Sequence, residues 1–119
     1  MTASLYERLG ETAGITRIAN DIVDLHAKNP KIAARFAGSD LSALKTLAAE
    51  FFIAGSGGPQ VYTGRDMLET HRHMNISDEE FMAVMDDAMT ALDMSAIGDA
   101  EKADVLYIFY SLRPQIAGV

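Results

Sequence analysis

Apolar residues recur every three to four positions along most of this chain, and the places where the recurrence stops are marked by glycine, proline and capping residues. Over 12–28 the positions Ile15, Ile18, Ala19, Ile22, Val23 and His26 or Ala27 fall on one helical face. Asn29-Pro30 ends that helix, because a residue before proline is pushed out of the helical region. A short helix is predicted over 30–36, stopping near Gly38. Ser39 or Asp40 can cap the next, which runs to about Ala54 with Leu41, Leu44, Leu47, Ala48, Phe51 and Phe52 inward. Gly55-Ser56-Gly57-Gly58-Pro59 breaks it. A further helix is predicted over 65–74, after a loop carrying Tyr62 and Gly64. Ser77 and Glu80 form a capping box that opens a helix to about Leu92, with Phe81, Val84, Met85, Ala88 and Leu92 as its buried stripe. The last helix is predicted over 99–112, apolar along Val105, Leu106, Ile108, Phe109 and Leu112. The pattern leaves Leu5 to Gly10 open between a packed helix and a loose arm. No stretch alternates as a strand would, so the fold class is all-α.

Composition narrows this picture. A chain of 119 residues, 49% of them hydrophobic, suits a single globular domain over 1–119. No apolar run reaches the length of a membrane span, and the N-terminus lacks a charged-then-apolar signal pattern, so a soluble, cytoplasmic protein is expected. The net charge of −7, with no basic stripe to offset it, opposes nucleic acid and anionic membranes as partners. Cysteine is absent, which excludes disulfides and thiolate metal sites.

Of the three histidines, at 26, 71 and 73, His71 has the most suggestive surroundings. Helical spacing places Met67, His71 and Met74 on one face and turns His73 toward solvent. An imidazole between two methionines suits a soft metal-cofactor pocket and equally suits a hydrogen-bonded core histidine. No second His, Asp or Glu stands at the spacing of a closed zinc site. A lone protein ligand makes sense mainly where a macrocycle supplies the other bonds, as in haem.

The stretch Gly57-Gly58-Pro59-Gln60-Val61-Tyr62-Thr63-Gly64-Arg65-Asp66-Met67, followed by Glu69-Thr70-His71, resembles without a gap the glycine break, tyrosine-glycine loop and proximal-histidine helix of the group 1 truncated haemoglobins. Leu5-Tyr6-Glu7-Arg8-Leu9-Gly10 is similar to that family's short first helix. Asn29-Pro30 through Phe36-Ala37-Gly38 is similar to its turn bearing the haem-stacking phenylalanine. The resemblance spans Leu5 to about Leu92 and implies a two-over-two helical sandwich around a haem b (iron protoporphyrin IX), with His71 as the proximal iron ligand. It further implies that Phe36 stacks on the porphyrin, that Lys45 and Tyr62 reach the propionates, and that Met67 packs beneath the haem. Phe51 and Phe52 match positions lining the distal side and the ligand-access route.

The distal positions depart from the family. Where relatives usually carry a phenylalanine and a tyrosine this chain has Ile22 and Val23, and where the next helix usually offers polar groups it has Leu44, Leu47 and Ala48. The usual hydrogen-bond donors are thus replaced by apolar side chains. A hydrogen bond to a charged partner contributes about 1.5–3 kcal/mol, so weak oxygen binding is expected. His26, three residues after Val23, either supplies distal polarity or is a core histidine bonded to a backbone carbonyl. The leading functional expectation is reversible binding of O2, CO or NO at a five-coordinate ferrous haem. The alternatives are an NO or CO sensor acting through a separate partner, and NO dioxygenase or peroxidase chemistry, which the apolar distal side disfavours. A reductase partner and a monomer or weak dimer complete the expectations.

Overall fold

A computed structural model describes residues 3–118; Met1, Thr2 and Val119, the ends of the expected 1–119 domain, lie outside the described residues. Six α-helices and one 3-10 turn follow one another: α1 (Leu5–Arg8), α2 (Glu11–Lys28), the 3-10 turn Ala33–Phe36, α3 (Leu41–Gly55), α4 (Met67–His71), α5 (Asp78–Met94) and α6 (Asp99–Ile116). Among the described residues there is no strand; one isolated parallel bridge pairs Ile76 with Ala117.

Helix α2 forms as its spacing predicts. Ile15, Ile18, Ala19, Ile22, Val23 and His26 are all buried. Each of the three isoleucines contributes roughly 1.5–3 kcal/mol by leaving water. Its N-terminus turns tightly off α1, where a Cβ on Gly14 would collide with the Leu9 carbonyl oxygen. The arm before it is packed. Ser4 and Glu7 form a capping box on α1, the Tyr6 N–H donates to the Ser56 carbonyl at 2.9 Å, and Arg8 bonds Glu101 and Asp104 on α6.

Helix α2 packs against α3 on one side and α5 on the other, while α5 pairs with α6. The result is α2 and α3 laid over α5 and α6, a two-over-two sandwich. Its core joins Ile15, Ile18 and Ile22 to Ile53, Phe81, Met85, Leu92, Val105 and Phe109. The short α4 rests on α6.

Three expectations are corrected. Helix α3 buries Ala49 and Ile53, whereas Leu41, Leu44, Ala48, Phe51 and Phe52 are half-buried and Leu47 is 36% exposed. Its richest apolar row is only half covered. Helix α4 ends at His71 rather than at residue 74, because Arg72 is extended and His73 and Asn75 take left-handed φ values of 69° and 50°. Met74 therefore lies beyond the helix and is 38% exposed. Helix α6 continues to Ile116, through Pro114. Pro114 has no N–H to return to the carbonyl four residues back, so the last turn gives up that bond.

Candidate functional site

The loop before α4 is built by its own polar groups. The Tyr62 hydroxyl donates to the Arg65 carbonyl at 2.6 Å, and Thr63 donates to the Glu50 carboxylate of α3 at 2.8 Å. Gly64 passes so close beneath the Tyr62 ring that a Cβ there would overlap it. Asp66 then caps α4 by accepting from the Glu69 N–H at 2.7 Å. Burial, helped by the charges of Asp66 and Glu50, pushes the Tyr62 phenol above its ordinary value, so it stays a protonated donor.

His71 closes this short helix half-buried, 2.7 Å from the Met67 carbonyl through Nδ1. A carbonyl can only accept, so Nδ1 carries a proton, and in the neutral imidazole the lone pair is on Nε2. This is the tautomer a metal-ligating imidazole needs, with its other nitrogen held by a backbone oxygen.

A band of half-exposed apolar side chains belongs to the same region. Leu44, Ala48 and Phe51 are half-buried, Leu47 and Leu68 stand 36% and 37% exposed, and Met67 is half-buried at the head of α4. Leu44, Leu47, Ala48 and Phe51 share one face of α3 by their spacing. The Phe51 ring meets the Tyr62 ring edge-on at 5.4 Å. Half-exposed apolar side chains on α3 and α4 are what a flat apolar cofactor would cover. The donor set fits haem: one imidazole with Nε2 unbonded, apolar neighbours and no thiolate.

Other expected residues take different surroundings. Ile22 and Val23 are each 4% exposed on α2. Phe52 turns toward α6, its ring 5.5 Å from that of Phe109. The Lys45 amine lies 2.8 Å from Asp24 of α2. Phe36 ends the 3-10 turn half-buried, its ring 5.5 Å from the imidazole of His26. His26 itself is held by a carboxylate rather than by a backbone carbonyl. Its Nδ1 lies 2.7 Å from Asp87 on α5, and the Asn29 amide donates to both oxygens of that carboxylate at 3.2 Å. Burial pushes the imidazole below its ordinary value, and Asp87 opposes this without reversing it. Sequence reasoning missed Asp87, although its place beside Val84 and Ala88 on the buried stripe was a signal.

Comparison with known proteins agrees with this geometry. The model of the bacterial-like globin family matches residues 4–117. The chain belongs to the bacterial-like globins. This globin is 27% identical over 115 residues to the group 1 truncated hemoglobin of Mycolicibacterium paratuberculosis, covering 97% of this chain and 85% of that protein. It is 25% identical over 107 residues to that of Synechocystis, covering 87% and 86%. Its fold matches the truncated hemoglobin from Tetrahymena pyriformis with a TM-score of 0.94 and 20% identity, covering 98% of this chain and 100% of that one. It also matches the 2/2 hemoglobin from Synechococcus, whose structure carries covalently attached heme, with a TM-score of 0.85 and 22% identity over 93% and 94% of the two chains. The globin family is a haem-binding one, and the all-α two-over-two architecture is that of the truncated globins. Among the described residues no helix is long and apolar enough to cross a membrane.

Proposed function

We propose that this globin reversibly binds a diatomic gas at the iron of a haem b held by His71 alone. The observation that carries the reading is the Nδ1 bond of His71 to the Met67 carbonyl, which leaves Nε2 unbonded on the helix that also carries Met67 and Leu68. When bound, the haem would supply an iron that takes the gas. The residues of the chain hold and shield the group: Met67 and Leu68 on the proximal side, Phe36 at the 3-10 turn, and Leu44, Leu47, Ala48 and Phe51 from α3. With no cysteine in the chain, thioether attachment is excluded, which favours haem b.

The distal positions offer shape without hydrogen bonds. Ile22, Val23, Leu44, Leu47, Ala48 and Phe51 carry no side-chain donor. Oxygen, which needs such a donor more than carbon monoxide does, is therefore held weakly and released fast. Reversible binding is favoured over NO dioxygenase or peroxidase chemistry for the same reason. The buried polar pair His26 and Asp87 is committed through Nδ1.

Absorption spectra of the purified protein test this. A Soret band with a five-coordinate ferrous spectrum is expected, lost in His71→Gly and restored by added imidazole. Absence of a Soret band after haem addition, or an unchanged spectrum in His71→Gly, overturns it.

A further inference from the structure

Phe36 and His71 stand on segments that no helix packing joins directly. The 3-10 turn Ala33–Phe36 leans on α2, and α4 leans on α6. Residues 72–75, which follow His71, include two non-glycine residues in the left-handed region, His73 and Asn75. Such backbone costs on the order of 1 kcal/mol or more per residue and persists only where surrounding contacts hold it.

One side chain supplies the tie. Arg35, the neighbour of Phe36, donates through Nη1 to the Met74 carbonyl at 3.1 Å. Its Nη2 donates to Glu80 Oε1 at 2.9 Å, and its Nε to Glu80 Oε2. Glu80 is fixed in turn, because its Oε1 accepts from the Ser77 N–H at 3.1 Å in the capping box of α5. Among the described residues, these are the only side-chain hydrogen bonds between 33–36 and 72–80. The fork geometry of a guanidinium suits this double duty, a carboxylate on one side and a carbonyl on the other.

We infer that Arg35 is a clasp across the haem crevice, a positioning residue that ties the Phe36 turn to the segment leaving His71 and so sets how firmly the proximal helix holds its ligand. It acts three residues beyond His71, through the Met74 carbonyl. The clasp spans 39 residues of sequence to Met74 and 45 to Glu80, so local propensity does not replace it.

The inference rests on the reading that the crevice holds haem, and its test separates the two. Amide hydrogen exchange at residues 72–75 is compared in the haem-free and haem-loaded protein for wild type, Arg35→Met, Arg35→Lys and Glu80→Gln. Haem transfer to an excess of an apoglobin acceptor and the ferrous iron–histidine stretching band are measured on the loaded proteins. Arg35→Met is expected to speed exchange at 72–75 in both states, to shift the stretching band, and to raise the transfer rate about three- to tenfold, as suits a partly exposed charged hydrogen bond. Arg35→Lys restores part of each effect. Glu80→Gln, which keeps the oxygen used by Ser77, gives a smaller change of the same sign. Wild-type exchange at 72–75 in Arg35→Met overturns the clasp, whether or not haem transfer changes. Uniformly faster exchange over the whole chain also overturns it, as the mark of a general loss of stability. A protein that takes up no haem yet shows the local exchange effect keeps the clasp and ends the haem reading instead.

Discussion

His26 and Asp87 meet at 2.7 Å between α2 and α5, each nine-tenths or more buried, with Asn29 donating to the same carboxylate. The carboxylate accepts, so Nδ1 of His26 carries a proton, and burial, which lowers the imidazole below its ordinary value, favours the neutral form. This polar knot sits between two otherwise apolar helix faces and fixes their register beside Phe36.

Removing one partner strands the others. Asp87→Ala leaves an imidazole N–H and an amide N–H without acceptors in a site that water barely reaches. The expected cost is about 2–4 kcal/mol, whereas Asp87→Asn keeps an acceptor and costs about half as much. Urea unfolding of the two variants measures the difference. Equal stability in the two variants would mean that an uncharged acceptor at position 87 contributes nothing.

Acid acts on two groups in separate windows. Burial lowers the His26 pKa from its ordinary 6.5, so on acidification the unfolded chain takes up the proton first and stability falls below about pH 6.5. His26→Gln is expected to flatten that part of the profile. Glu80 is pulled down from 4.5 to about 2, chiefly by its bond to Arg35. Its contribution is complete above pH 4.5 and is lost as pH falls from there toward 2. In Arg35→Met that lower window narrows. Unfolding free energies at a series of pH values read both effects.

Gly64 and Tyr62 are expected to couple. A Cβ at position 64 overlaps the phenol ring, and moving the ring breaks its bond to the Arg65 carbonyl. Gly64→Ala should cost about 1–3 kcal/mol, typical of overpacking. In a Tyr62→Ala background the same substitution should cost little, because the obstructing ring is gone. A double-mutant cycle by thermal or urea unfolding measures the coupling, and simple additivity would refute the close approach.

How much of this was readable depends on what each residue faces. Helix α2 was legible because its period and its burial coincide. Helix α3 was legible as a helix but not in its packing. Leu44, Leu47, Ala48 and Phe51 have the spacing of a core face, and periodicity does not distinguish a face that meets protein from one left open beside α4. The early end of α4 left no trace, since Arg72, His73 and Met74 contain neither glycine nor proline; the turn is set by contacts, including Arg35 on the Met74 carbonyl. Asp87 was passed over because an acid on a helix defaults to solvent, and only its pairing with a histidine 61 residues away overrides that. The Lys45 amine shows the same lesson, held by Asp24 on the neighbouring helix.

The apolar distal row yields the sharpest functional test. Leu47 is 36% exposed on the open face of α3, in line with Leu44 and Phe51, so a longer polar side chain there meets little steric resistance. Leu47→Gln adds an amide donor on that face without disturbing Ala49 or Ile53, which carry the packing of α3. If the open face is the gas-binding side, the new donor should slow oxygen dissociation about ten- to a hundredfold, the equivalent of one charge-assisted hydrogen bond. Carbon monoxide dissociation should change far less, because that ligand is less polar when bound. Stopped-flow displacement of each gas gives the two rates side by side. Equal effects on both gases would point to altered access rather than a hydrogen bond. No effect on either would place the gas away from Leu47 and remove the α3 row from the distal wall.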